Sequence, residues 1–145
     1  MPRDNLSRCF TLGLAVALVV LLLCTCSISK DADIGRQGVE QFHKQFTAQQ
    51  DDAIYDAADP AFRRSLSREV SHEFFSRIRR KMGACQDSKE INYLVNESTS
   101  GTFVTLHYQT KCANGELNEQ FVWRISRGQA LLVGYRANNP RLLTD

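Results

Sequence analysis

The sequence lacks most of the signatures by which enzymes and nucleic-acid binders are recognised. It contains no nucleophile elbow, no phosphate-binding glycine loop and no zinc-protease spacing of histidines. Its 18 basic side chains are nearly balanced by 16 acidic ones, whereas proteins that bind nucleic acid usually carry a clustered basic face. These absences argue against nucleic acid as a partner, and nothing in the chain indicates a cofactor.

Long apolar runs are also scarce, and the one that exists lies at the N-terminus. Arg3 and Arg8 precede the apolar run Phe10–Leu23, which is the order of the basic region and the apolar core in a secretion signal. The run is shorter than the roughly 20 apolar residues that a membrane-spanning helix needs. The pattern predicts a signal peptide over residues 1–25, with an uncleaved membrane anchor as the alternative.

The end of this segment resembles the lipobox of bacterial lipoproteins. Leu23 stands three positions before Cys26, as the leucine of a lipobox stands before its modified cysteine. The sequence departs from that pattern at Cys24, and at Thr25, where Gly or Ala is usual. The resemblance implies that Cys26 is lipidated and begins the mature protein, and that Ser27 after it favours the outer membrane, facing the periplasm. More than one acyl chain anchors a protein firmly. The alternative is that these small residues merely close the signal.

Beyond Cys26 the chain has the length of a single domain. Residues 26–32 are short and polar, which predicts a tether, and residues 33–145 remain for the fold. Gly35 and Gly38 are expected to weaken the early turns of the first helix. That helix is predicted from apolar residues at helical spacing, namely Val39, Phe42 and Phe46.

Two further helix starts carry capping signals. Asp59 followed by Pro60 is typical of an N-cap and a first helical position. Ser67 can cap the clearest helix of the chain, and Gly83 provides its natural stop. The apolar stripe predicted for that helix consists of Val70, Phe74, Ile78 and Met82.

After position 83 the apolar spacing changes from helical to alternating, which predicts four β-strands. Turn signals separate them at 97–101, 114–115 and 127–128. Helices followed by meandering strands predict an α+β fold, in which the N-terminal helices pack on a curved four-stranded antiparallel sheet. The strand residues are Ile91, Tyr93 and Val95; Val104, Leu106 and Tyr108; Phe121, Trp123 and Ile125; and the run 131–135.

Asn114 and Gly115 form the strongest turn signal, because both residues tolerate the positive φ of a type I′ turn. Joining the second and third strands through this two-residue loop brings their apolar faces together. A one-residue slip would turn one of the two sets to solvent, so the match supports the register. The predicted pairs are Tyr108 with Phe121, Leu106 with Trp123 and Val104 with Ile125, and, in the first hairpin, Ile91 with Leu106 and Tyr93 with Val104.

The first hairpin also predicts a disulfide. A loop over 97–100 places Cys85 opposite Cys112, at a separation that a strand end can close. With Cys26 lipidated, these two cysteines remain as a pair in an oxidising compartment. We predict a disulfide between them, with two buried free thiols as the alternative. No metal site is predicted, because two cysteines lack further ligands at suitable spacing.

The organisation resembles the cystatin-like and NTF2-like cone folds. It resembles in particular small bacterial lipoproteins of unknown function with that fold. The likeness covers residues 33–140 and rests on the lipobox, on Val39 and Phe42 in the first helix, on the segment 59–62 and on the hairpin residues 101–108. The inhibitory Gln-x-Val-x-Gly loop of true cystatins is absent, so the resemblance does not imply protease inhibition.

Candidate site residues are few, and we assign no catalytic residue. His107, with Tyr108, Phe121 and Trp123, is the best candidate for a pocket or surface site on the sheet. The alternative for His107 is simple contact with solvent, and for the aromatic residues a solid core. The acidic residues are expected at turns and helix starts, where they make no acid–base pair in a desolvated pocket.

The sequence is compatible with three functions. The first is a lipid-anchored binding or accessory module for a small apolar ligand or an envelope protein. The second is an enzyme of the NTF2-like type, a lyase or isomerase that uses His107 or a nearby carboxylate. The third is a structural accessory of envelope assembly, and a homodimer through edge strands is compatible with all three. His43 and His72 are expected on the polar sides of their helices and receive no role.

Overall fold

A computed structural model describes residues 30–143 of the chain. In this part four α-helices precede four strands, which form an antiparallel sheet of order β1-β2-β3-β4. The predicted α+β class, with helices before a four-stranded antiparallel sheet, is confirmed. The elements are α1 at residues 30–47, α2 Asp51–Ala57, α3 Pro60–Ser65, α4 Arg68–Met82, β1 Cys85–Ser98, β2 Gly101–Cys112, β3 Gly115–Ser126, β4 Gln129–Asn138 and a 3₁₀ helix Pro140–Leu142.

The predicted signal peptide of residues 1–25 and the predicted lipidation site Cys26 lie outside the described residues. The tether prediction for residues 26–32 is wrong at its end, because α1 already includes residues 30–32 and Ala32 is fully buried. Ala32 is in phase with Gly35 and Val39 on the face of α1 that packs on the sheet. None of the helices in the described part of the chain is long and apolar enough to cross a membrane.

The capping residues of α3 and α4 act as predicted. Asp59 precedes α3 and its Oδ1 accepts the backbone N–H of Ala61 at 2.7 Å. Ser67 precedes α4 and its Oγ accepts the backbone N–H of Val70 at 3.3 Å. Gly83 ends α4 with a positive φ of 72°. These short-range signals fix where both helices begin and where α4 ends.

The predicted apolar stripe of α4 is partly wrong. Val70 is 53% exposed, because a strict four-residue repeat drifts around a helix of 3.6 residues per turn. The face that packs into the core instead follows a spacing of four, three and four residues. Its members are Ser71, Phe75, Ile78 and Met82.

The two glycines of α1 lie where the helix touches the sheet. A Cβ on Gly35 would come within 3.0 Å of Val104 Cγ1, and a Cβ on Gly38 would come within 2.9 Å of Ala130 Cβ and 3.2 Å of the Trp123 ring. A contact of 2.9 Å is essentially never seen for a real Cβ, and contacts of 3.0–3.2 Å are tighter than most. The residues expected only to weaken α1 are therefore the ones that let it pack closely on β2, β3 and β4.

The β2–β3 register differs from the prediction by two residues. Cys112 pairs with Gly115, so the turn consists of Ala113 and Asn114, and the positive φ of 127° falls on Gly115. The backbone N–H of Asn114 donates to Met82 O at 3.0 Å, which ties the turn to the end of α4. A two-residue shift leaves every side chain on its predicted face. The observed pairs are Val104 with Trp123, Leu106 with Phe121 and Tyr108 with Glu119.

The first hairpin is also tighter than predicted. Ser98 pairs with Gly101, which leaves a two-residue turn in place of the predicted four-residue loop. Tyr93 therefore pairs with Leu106. Ile91 lies in an irregularity of β1 and is 58% exposed. The predicted pairs of Ile91 and Tyr93 are wrong, because local turn propensity does not distinguish between loops of two and four residues.

Aromatic rings fill the core between α1, α4 and the sheet. The ring centroid of Phe42 lies 4.7 Å from that of Tyr135, 5.0 Å from Phe121 and 5.7 Å from Phe75. All four side chains are buried. Tilted and edge-on pairs of this kind contribute about 0.5–1.5 kcal/mol each beyond their buried area. The centre of the domain is therefore solid. Two cavities lie at the two sides of α1, and a third, of about 330 Å³, lies among the strands.

Candidate functional site

The four site residues predicted from the sequence do not converge on one pocket. Phe121 is fully buried in the core, and Trp123 is 5% exposed beside it. Tyr108 is half-buried; its burial and the nearby charge of Glu90 raise the pKa of its hydroxyl to about 12. His107 belongs to the other face of the sheet, because neighbouring strand residues point to opposite faces. It nevertheless lines one cavity of about 330 Å³ together with Tyr108, beside Ile91 in β1.

The predicted cysteine pair is present at the end of the first hairpin. Cys85 and Cys112 form a disulfide with a sulfur–sulfur distance of 2.00 Å, and they lie directly opposite each other in the register. The hairpin loop is two residues shorter than predicted, but two bulges in β1 each insert one residue. The two differences cancel at the strand end, so the disulfide joins the start of β1 to the end of β2 beside α1.

The larger of the cavities is a groove between α1, α2 and β4, which we call the neutral groove. It has a volume of about 570 Å³, within the range of 300–1,000 Å³ that is usual for small-molecule sites. Its apolar walls include Ile34 and Phe42 of α1, Ile54 of α2, and Ala130 and Leu132 of β4. None of the described residues that line it carries a charge.

The polar groups of the neutral groove are amides and one indole nitrogen. Gln37, Gln41 and Gln45 follow one another at four-residue spacing along α1, and Gln129 faces them from the start of β4. Among the described residues, no side-chain hydrogen bond involves these four amides. Trp123 Nε1 is buried and donates to no acceptor in the described part of the chain. A buried donor left unpaired costs about 1–3 kcal/mol, which an acceptor on a ligand would recover.

A second cavity, of about 320 Å³, lies on the other side of α1 against the disulfide, and we call it the Glu119 pocket. Glu119 is only 4% exposed. Its Oε1 accepts the Tyr135 hydroxyl at 2.7 Å, and its Oε2 lies 3.0 Å from His43 Nε2 and accepts the Thr110 hydroxyl. The Ser88 hydroxyl lies 2.7 Å from that of Thr110. The carboxylate is therefore held by three protein groups.

This arrangement defines what the Glu119 pocket can do. Burial, and next the charge of Glu119, raise the pKa of Tyr135 well above its ordinary value, so its hydroxyl stays protonated and donates. The side chain of His43 is 25% exposed and stands between Glu119 and the cavity. The described residues contain no group of three His, Cys, Asp or Glu side chains placed to hold a metal ion.

Neither Glu119 nor His43 was predicted from the sequence as a site residue. The expectation that acidic residues stay at turns is wrong for Glu119, which sits in the middle of β3 on the apolar face. His43 was expected on the polar side of its helix and received no role, but its Nε2 lies against the buried Glu119 carboxylate. A signal for Glu119 was available, because it alternates in phase with Leu117 and Phe121, and a charge in that phase must be buried with donors.

The open edge of the sheet at β1 carries the exposed apolar side chains of the strands. Ile91 is 58% exposed, Tyr93 44% and Leu94 55%. The guanidinium of Arg36 covers the Tyr93 ring at 4.9 Å, and Arg36 also pairs with Glu90 at 2.8 Å. The predicted homodimer through an edge strand stays a prediction, and this edge is its candidate surface.

Comparisons with known proteins do not assign a function to this chain. No family model matches the chain, and no curated protein matches it. A solved structure that is similar in part is the solution structure of a SEC-C motif-containing protein from Rhodopseudomonas palustris. It is 15% identical, covers 66% of this chain and 72% of its own, and has a TM-score of 0.43. A likeness at this level supports no functional assignment.

Proposed function

We propose that this protein is a lipid-anchored binding module of the bacterial cell envelope, and that the neutral groove holds its ligand, a small, largely apolar and uncharged molecule or a segment of an envelope protein. The observation that carries the proposal is the groove of about 570 Å³, which is lined by uncharged and mostly apolar residues, Trp123 among them. A mostly apolar lining with a few placed polar groups is the usual composition of a ligand site. The lack of charge on that lining favours an uncharged occupant.

The anchor and the fold type belong to the same proposal. The lipobox-like sequence ending at Cys26 supports a signal peptide over residues 1–25 and attachment to the outer membrane, facing the periplasm. The order of helices before strands, with α1 and α4 packed on one face of the sheet, supports a cystatin-like or NTF2-like domain. A Cys26→Ala variant is expected to leave the membrane fraction. Normal processing and full retention of that variant in the membrane would contradict the anchor.

The binding function is tested with the full chain purified from its membrane. Trp123 is the only tryptophan, so intrinsic fluorescence reports on the groove alone. We expect native mass spectrometry to show a co-purifying uncharged molecule, or neutral ligands added afterwards to shift the Trp123 emission. A clean apo mass, together with an emission spectrum that no neutral compound or peptide changes, would refute the proposal.

The NTF2-like enzyme is a second candidate, and the pairing of His43 with Glu119 at the rim of a cavity is the observation in its favour. A lyase or isomerase of this type needs a base that reaches the substrate. The carboxylate of Glu119 is already held by three protein groups, so His43 is the residue that would exchange a proton. Turnover of a carbonyl substrate that disappears in His43→Gln would establish this candidate, and His107, on the other face, would serve as the control position.

A further inference from the structure

The outer edge of β4 runs along the neutral groove. In the sheet order β1-β2-β3-β4, β4 has a neighbouring strand on one side only. The backbone N–H of Asp59 donates to Leu132 O at 2.9 Å, so the Leu132 carbonyl points away from β3. Backbone groups alternate in direction along an antiparallel strand, so the N–H and the carbonyl of Ala130 point to the same outer edge. The hairpin pair Ser126–Gln129 fits this alternation, because a two-residue hairpin closes on a hydrogen-bonded pair.

Apart from the Leu132 carbonyl, the groups on this edge, namely the N–H and carbonyl of Ala130 and the N–H of Leu132, have no described partner. Ala130 and Leu132 both line the groove. Apart from the bond from Asp59, no backbone hydrogen bond of the described residues reaches this edge of β4 between Gln129 and Leu132. An open strand edge beside a helix is the geometry in which extended peptides add to a sheet. The groove therefore offers a row of backbone donors and acceptors in addition to its side chains.

We propose that the occupant of the neutral groove is an extended peptide segment with uncharged side chains, which pairs with β4 as a fifth strand between β4 and the helices α1 and α2. The proposal rests on the proposed function in that it takes this groove as the binding site. It restricts the ligand to one chemical class, peptides, because only an extended backbone would pair with the edge of β4.

The side chains of the groove suit such a peptide. Its lining is uncharged, so a lysine or glutamate at the centre of the peptide would be buried without a counter-charge, which is costly. The amides of Gln37, Gln41 and Gln45 follow α1 along the groove and can donate to the outward-facing carbonyls of an added strand. Trp123 lies in the wall of the groove and reports on its occupation.

The length of the paired segment is limited at both ends. Asp59 already uses the Leu132 carbonyl, and the hairpin turn before Gln129 ends the strand at the other end. The free edge is therefore about three residues long, or roughly 10 Å at the rise of a β-strand. A peptide of about five residues spans it with its ends free.

The test uses the full chain and peptides whose backbone is altered. The probe is a pool of acetylated, amidated pentapeptides built from alanine, valine, threonine and glutamine, and Trp123 fluorescence is the readout. We expect the neutral pool to shift the emission, and pools with a central lysine or glutamate to bind about tenfold more weakly or worse. For one binding peptide, N-methylation of one alternating set of backbone nitrogens is expected to weaken binding about tenfold or more, while methylation of the other set has little effect.

An Ala130→Pro variant provides the matched change in the protein. It removes an edge N–H that does not take part in pairing with β3, and proline is tolerated on edge strands. Circular dichroism and thermal unfolding would show that the fold is kept, and peptide affinity is expected to fall about tenfold.

Equal effects of the two N-methylated sets would overturn strand addition. If neutral non-peptide compounds shift the Trp123 emission and no peptide does, the peptide proposal fails while the binding function stands. If neither class of compound has an effect, both fail. Since the N-methylation test needs no variant, it keeps its value even if Ala130→Pro does not fold.

Discussion

The neutral groove and the Glu119 pocket lie on two sides of the same helix and against the same sheet, but their polar groups are in opposite states. In the groove, four glutamine amides and the Trp123 Nε1 have no described partner. In the pocket, the Glu119 carboxylate is held by Tyr135, Thr110 and His43. Unpaired amides that face solvent cost little and a buried indole N–H costs about 1–3 kcal/mol, whereas a buried carboxylate is more costly still and must be satisfied by the fold itself.

This difference separates a binding surface from a structural one. The Glu119 pocket joins α1 to β2, β3 and β4 through one charge, so changes there should affect mainly stability. The groove contributes little hydrogen bonding to the fold, so changes there should affect mainly binding. The four predictions below test this division, from the largest expected effect to the smallest.

The largest effect is expected for Glu119→Ala. It leaves the buried hydroxyls of Tyr135 and Thr110 without their acceptor and opens a cavity beside them, so the free energy of unfolding should fall by about 3 kcal/mol or more. Urea unfolding measures it. Glu116→Ala, an exposed position on the same strand, is the matched control and should change stability by less than about 0.5 kcal/mol. Similar values for the two variants would refute a structural role for Glu119.

Gly38→Ala should have the next largest effect. The added Cβ would lie 2.9 Å from Ala130 Cβ, and overpacking of this kind costs about 1–3 kcal/mol. The higher helix propensity of alanine stabilises the helix by about 1 kcal/mol. The free energy of unfolding is therefore expected to fall by about 1 kcal/mol in all, and the Trp123 emission to change. Lys44→Ala, exposed on the same helix, serves as the control. A gain in stability for Gly38→Ala would mean that α1 does not pack closely on β4.

Tyr135→Phe should lower the free energy of unfolding by about 1 kcal/mol at neutral pH, the net value of one hydrogen bond. It should also change how the free energy of unfolding depends on pH above pH 8. The folded-state pKa of Tyr135 is raised, so its contribution is complete below about pH 10, the ordinary tyrosine pKa, and is lost as the pH rises above it. Unfolding curves from pH 8 to pH 11 should fall less steeply in Tyr135→Phe than in the wild type. The exposed Tyr93→Phe is the control, and identical slopes for Tyr135→Phe and the wild type would contradict the assignment.

Gln41→Ala should have the smallest effect on the fold. Its side chain is exposed and alanine is the better helix former, so stability should stay within about 0.5 kcal/mol of the wild type. Ligand affinity should fall about fivefold, the value of about one hydrogen bond. Isothermal titration measures it, with Glu40→Ala on the same helix but at the other cavity as control. An equal loss in both variants would remove the distinction between the two cavities.

Much of the fold was predictable because its signals are local. Ser67 and Gly83 delimit α4, and the alternation of apolar residues assigns each strand residue to a face. The pairing of Cys85 with Cys112 was also predicted, although two bulges had to cancel a shorter turn to bring them together. The exact partner of Tyr108 was not predictable, because the predicted and the observed registers differ by two residues and place the same apolar residues on each face. The predicted register is excluded only by the docking of Asn114 on the end of α4.

By itself, then, the sequence determined the element types, their order, the helix caps and the faces of the apolar residues in β2 and β3, since all of these depend on residues within a few positions of one another. Tertiary structure alone decided the strand registers, the burial of Glu119 with His43, and the use of Gly35 and Gly38 as contact points for the sheet. It also placed Trp123 beside the free edge of β4. These features depend on which distant residues meet, and a periodic pattern does not encode that.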